Sequence, residues 1–167
     1  MNFKQFATAS AVVSAVLGGA LAVPATAQVL SEKALSVTAA LTVAQTAYEA
    51  CLAQGYKTSV TVVGREGQVL LALRGDGTSP HTYENSFRKA YTARSFRVPS
   101  GDFAQRVKDN PTLGVVHLAN VVAVQGGLPI LAGDEVIAGV GVSGAPGGEK
   151  DEACAKAGID KIAASLK

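Results

Sequence analysis

Four residues, Gly64-Arg65-Glu66-Gly67, separate two short runs rich in β-formers, Thr58–Val63 and Gln68–Leu73, and this spacing leaves the chain little choice. A connection this short joins antiparallel neighbours, because parallel strands need a crossover of a dozen or more residues. The pattern recurs further on, with a run at Asn120–Val124, a Gly126-Gly127 turn, Leu128–Leu131, a Gly133-Asp134 turn and Glu135–Val142. Any sheet made from these runs is antiparallel, about five strands wide, with helices laid on its faces.

The helical segments flank and interrupt the strands. Leu30-Ser31 predicts a helix start, with Ser31 as N-cap, followed by Ala34, Val37, Leu41, Ala44, Tyr48 and Cys51 as one apolar stripe ending at Gly55. Ser79-Pro80 opens a second helix that runs to Phe96 and places Tyr83, Phe87, Ala90, Tyr91 and Arg94 on a shared face. A short helix is expected over Asp102–Lys108, and a last one from Pro146 to the end, with Asp151 and Glu152 in its first turn. This order describes an α+β, profilin-like sandwich.

The first 27 residues stand apart. They carry one charge, Lys4, then an apolar stretch from Ala11 to Val23, then Ala25-Thr26-Ala27. A basic start, a short apolar core and an A-x-A end predict a secretory signal peptide cleaved before Gln28, too short to span a bilayer. The expected product is a single domain over residues 28–167, periplasmic or secreted. Its formal charge is about +1, which excludes the basic footprint of a nucleic-acid binder. It has no methionine and seven aromatics, so its core rests on Val, Leu, Ile and Ala.

Cys51 and Cys154 lie in that exported part, where disulfides persist. If the first and last helices pack antiparallel, the two cysteines meet and close a loop of roughly 100 residues. Otherwise they are two buried thiols acting as small hydrophobes.

Several chemistries fail on spacing. Gly139-Val140-Gly141-Val142-Ser143-Gly144 is a literal G-x-G-x-x-G, yet the strands before it come from hairpins and too little chain follows for a βαβ unit. It reads instead as a strand end against which the last helix packs closely. Ser143 sits one residue short of a nucleophile elbow, and two distant cysteines cannot form a closed zinc site.

What remains centres on the second helix. His81, Glu84 and Arg88 follow at spacings of 3 and 4, on one side of a helix. The imidazole of His81 and the carboxylate of Glu84 either face solvent or present themselves to one metal ion. From Arg88 to Lys108 lie Arg88, Lys89, Arg94, Arg97, Arg106 and Lys108, which form either a solvated face or a cationic rim for an acidic ligand. His117, flanked by Val115, Val116 and Leu118, is either a hydrogen-bonded core residue or a buried ligand.

Four segments in order, Arg74-Gly75-Asp76-Gly77, Arg88-Lys89-Ala90-Tyr91-Thr92-Ala93, Gly126-Gly127-Leu128-Pro129-Ile130, and Gly139–Gly144 with Asp151 after it, resemble the small haem-binding HbpS-like or GlcG-like family over roughly residues 31–165. The resemblance implies a profilin-like sandwich, homo-oligomers, and binding of haem or a related tetrapyrrole, under a general label of haem degradation. It names no axial ligand. With no methionine in the domain and the cysteines candidates for a bridge, His81, His117 and Tyr83 are the candidate iron ligands, His81 first, and Arg88, Lys89 and Arg94 the candidate propionate partners. A non-haem small-ligand or interaction module, accessory to another enzyme or a sensor, is the competing class.

Overall fold

The computed structural model describes residues 28–167, and its folded unit is Glu32–Lys167. The expected leader lies outside the described residues. Among the described residues there are four α-helices, α1 (Val37–Leu52), α2 (His81–Phe96), α3 (Ser100–Asp109) and α4 (Gly148–Ile162). The strands are β1 (Ser59–Val63), β2 (Val69–Arg74), β3 (Gly127–Ala132) and β4 (Glu135–Ser143). They form one sheet in the order β2-β1-β4-β3, antiparallel throughout. Pro129 falls on β3, an edge strand, where its missing N–H breaks no ladder.

The sheet therefore has four strands, not about five. Residues 120–124 are not a strand because side chains of α2 hold their backbone. The Arg88 guanidinium donates to the Val121 carbonyl at 2.7 Å, and the Val122 N–H donates to Thr92 Oγ1 at 2.9 Å.

Side chains alternate across the sheet with period two. Val60 and Val62 of β1, Ala138, Val140 and Val142 of β4, and Ile130 of β3 enter the apolar core under α1 and α4. Their neighbours Ser59, Thr61, Gly139 and Gly141 face α2 on the opposite side. The result is three layers, with α1 and α4 on one face and α2 on the other.

The first helix starts later than its sequence suggests. Its N-cap is Ser36, whose hydroxyl accepts from the Ala39 N–H at 3.1 Å, while Arg65 pins the stretch before it through Glu32 at 2.9 Å and the Lys33 carbonyl at 3.2 Å. The buried stripe is also rotated. Ala40, Val43, Ala44, Ala47 and Cys51 are buried, whereas Val37 and Leu41 are exposed. Small residues win this face because α4 comes so close. A Cβ on Gly158 would collide with the Val43 carbonyl oxygen. Cys51 and Cys154 are joined across this seam, with their Cα atoms 5.5 Å apart.

The last helix does pack on the Gly139–Gly144 segment, through Val140 and Val142 and through the Ala145 N–H, which donates to Asp151, but the glycines themselves face another neighbour. That neighbour is α2: a Cβ on Gly139 would lie 2.5 Å from the Ala90 carbonyl oxygen, and one on Gly141 would be 2.5 Å from the Ala90 nitrogen. The glycines let a helix backbone lie almost on the sheet.

Candidate functional site

The sheet-facing side of α2 is polar for a buried helix face. Thr82, Ser86 and Lys89 are buried alongside Ala90 and Ala93. Each hydroxyl finds a partner, with Thr82 Oγ1 2.9 Å from Ser59 Oγ and Ser86 Oγ 2.8 Å from Thr61 Oγ1. This anchors the helix and leaves its outer side to a ligand.

That outer side begins at His81, the first helical residue, which is exposed. Together with Glu84, Asn85 and Arg88 it lines a shallow recess of about 240 Å³. An Nη of Arg88 lies 3.7 Å from a Glu84 carboxylate oxygen, while its other Nη is held by the Val121 carbonyl. Among the described residues no three His, Cys, Asp or Glu side chains gather as a metal-ligand set, so His81 and Glu84 stand as a pair without a third protein ligand. Around the helix from this recess runs an apolar groove of about 210 Å³ between Tyr83 and Phe87 of α2 and Val69 and Ala72 of β2. Tyr83 and Val69 are each 49% exposed. Glu84 lines both hollows, so a flat ligand spanning them would meet an apolar floor in the groove and the His81 imidazole and Arg88 guanidinium in the recess, a donor set that fits a haem.

Three candidates fall elsewhere. Lys89 is 2% exposed and its ammonium donates to Asp151 Oδ2 at 2.7 Å and to the Val142 carbonyl at 3.0 Å, so it cannot serve a ligand on the outer face. The helix turns it inward, 100° from Arg88. Arg94 lies 13 residues beyond His81, about 20 Å along the axis, too far to share one haem with it. It lines a second cleft with Arg65, Arg97 and Lys33, where burial, and then the charges of Arg65 and Arg97, lower its pKa. His117 is neither in the core nor in a strand. It ends a 3₁₀ turn, Gly114–His117, in which Val115 and Val116 take the half-buried positions and the imidazole is exposed.

Sequence reasoning missed Asn85, whose amide donates to Ser143 Oγ at 3.0 Å, and the pairing of Asp151 with Lys89. Asp151 signalled a helix N-terminus and followed the Gly139–Gly144 segment of the resemblance, and neither named a partner for it. Its partner lies 62 residues away, and no local spacing reports that.

A family model described as "Haem degrading protein HbpS-like" matches residues 35–160. The chain belongs to the HbpS-like family. A solved structure of a double glutamate-to-aspartate variant of HbpS from Streptomyces reticuli is 37% identical to it, covering 83% of this chain and 96% of that one, with a TM-score of 0.76. A second HbpS structure is 38% identical, covers 80% of this chain and 93% of that one, and has the same TM-score, 0.76. The Klebsiella pneumoniae protein ORFY shares the fold of this HbpS-like chain at 24% identity, covering 83% and 97% of the two chains, with a TM-score of 0.77. No curated protein matches the chain.

Proposed function

We propose that this HbpS-like protein is exported and binds haem against the outer face of α2, capturing or buffering it outside the cytoplasm. One observation carries the reading. His81 and Arg88 share one exposed side of α2 beside an apolar groove, which gives an iron ligand, a cation for a propionate and a surface for the ring in one place. The family description, which concerns haem, and the solved PduOC structure described as a haem complex, similar in fold, support it. His81 would hold a haem here through its imidazole, and the haem would supply an iron centre. His81 is the first-choice ligand, with Tyr83, about 200° round the helix in the groove, as the alternative and His117 in reserve. Arg88 replaces the trio of propionate cations, since Lys89 is buried and Arg94 is remote.

The groove shelters only part of a haem. Val69 and Tyr83 remain half exposed, and the β2 edge strand carries Val69, Leu70, Leu71, Ala72 and Leu73 with no charge before Arg74. A homo-oligomer in which a second copy covers this side would complete the pocket. Export rests on the sequence pattern of residues 1–27.

Haemin titration followed in the Soret band tests the assignment. Arg88→Ala should weaken binding roughly ten- to a hundredfold, the loss of one charge-assisted contact. His81→Ala should change the ferric spectrum. An unchanged spectrum and affinity in a His81→Ala/His117→Ala variant would remove both histidines from the iron. Turnover under reductant with release of iron would show degradation in addition to binding.

A further inference from the structure

A larger cleft, about 460 Å³, opens on the other side of His81, between the start of α2, the end of β4 and the start of α4. The four segments that carry the family resemblance converge on it. Gly77 and Thr78 form one lip, braced by Arg74, whose guanidinium donates to Thr78 Oγ1 and to its carbonyl, both at 3.3 Å. Lys89 and Asp151 line the interior, Ser143 and Gly144 the opposite wall. Gly126 flanks the ammonium, since a Cβ there would lie 2.7 Å from Lys89 Nζ and 2.8 Å from Asp151 Cβ.

A buried ion pair is weak evidence of stabilisation, because desolvating both charges offsets most of their attraction. The Lys89–Asp151 pair is also unevenly satisfied. Both Asp151 carboxylate oxygens are engaged, Oδ2 by Lys89 and Oδ1 by the Ala145 N–H at 2.9 Å. The Lys89 ammonium has three N–H groups and two acceptors among the described residues, Asp151 and the Val142 carbonyl. The Ser143 hydroxyl accepts from Asn85 and keeps its own hydrogen, and Thr78 likewise accepts from Arg74. At the mouth stands the exposed Lys57. Among the lining side chains two ammonium groups stand against one carboxylate, with hydroxyl and ammonium hydrogens to spare, while the carboxylates of Glu149, against Gly147, and Glu152, acting on Lys89, lie just outside the lining.

We propose that this cleft is a binding site for a small oxyanion, a carboxylate or phosphate group, adjoining the haem face of α2 across His81 and Asn85, which line both. The anion supplies the third acceptor for Lys89, accepts from Ser143 and Thr78, and is drawn in by Lys57. Asp151 holds the ammonium in place and is the positioning residue.

Calorimetry at constant ionic strength, with acetate in one arm and inorganic phosphate in the other, tests this on the purified protein. Amide chemical shifts should map any binding to residues 143–148. Saturable binding in one arm assigns the group: acetate a carboxylate, phosphate a phosphoryl oxygen. Lys57→Ala should weaken it roughly tenfold, and Asn85→Asp, nearly isosteric but negative, should abolish it. Lys89→Met should abolish binding as well, and since Lys57 and Asn85 lie outside the buried Lys89–Asp151 pair, their variants remain informative if Lys89→Met does not fold. No saturable binding in either arm, or a dissociation constant that neither variant moves, overturns the proposal.

Discussion

Gly141 of β4 lies directly under the Ala90 amide of α2, so close that a Cβ on the glycine would come within 2.5 Å of the Ala90 nitrogen. The helix rests on the sheet by backbone contact rather than through interlocking side chains. Gly141→Ala should therefore force α2 outward and destabilise the fold by about 1–3 kcal/mol, as overpacking does. Gly55→Ala is the control. It meets open space and carries only left-handed backbone strain, φ +79°, of about 1 kcal/mol. Urea midpoints of the two variants should rank in that order, and equal midpoints would refute the close-packing account.

The Cys51–Cys154 bridge spans 103 residues of sequence between α1 and α4. Closing so long a loop restricts the unfolded chain by about 4–5 kcal/mol in the chain-entropy model. A Cys51→Ala/Cys154→Ala variant should unfold at a much lower denaturant concentration than the oxidised protein. A loss below about 1 kcal/mol would show that the α1–α4 seam holds without the bridge.

Glu152, in the first turns of α4, has one carboxylate oxygen buried without a hydrogen-bond partner. Burial raises its pKa; Asp102 adds to this, while Gln125 and Lys89 oppose it. The folded protein then holds this proton at pH values where the unfolded chain has released it. Stability from this group is present in acid and lost as pH rises from the ordinary glutamate range through the raised folded pKa. Glu152→Gln should raise stability at neutral pH and flatten that part of the profile. A variant with an unchanged slope over that window would contradict it.

The Thr61–Ser86 hydroxyl pair predicts non-additivity. Ser86 Oγ donates to the Tyr83 carbonyl at 2.8 Å, so the Thr61 hydroxyl is the donor to Ser86. Ser86→Ala strands a buried Thr61 O–H and should cost about 1–3 kcal/mol, whereas adding Thr61→Val to it should recover part of that loss. A double variant weaker than Ser86→Ala alone would show that the pair does not act as a unit.

Local sequence determined the type of the four helices and of the four strands that form. The Gly64–Gly67 and Gly133-Asp134 turns required antiparallel neighbours, Ser79-Pro80 marked the start of α2 to within one residue, although Pro80 and not Ser79 takes the cap position and no side chain caps it, and Gly55, with φ +79°, ended the turn after α1. These signals act over a few residues through backbone sterics and capping, so they can be read from order alone. Tertiary structure decided which side of each element is inside. Small residues on α1 outcompeted Val37 and Leu41 because Gly158 lets α4 approach, and residues 120–124 yielded their backbone hydrogen bonds to Arg88 and Thr92 of α2 rather than to a fifth strand. The same helix separates Arg88 from Lys89 by 100°, leaving one outside and burying the other against a carboxylate 62 residues away. Periodicity shows that two adjacent cations point apart. Only the packed chain decides which of them meets water, because that depends on the Asp151 that another helix brings beneath it.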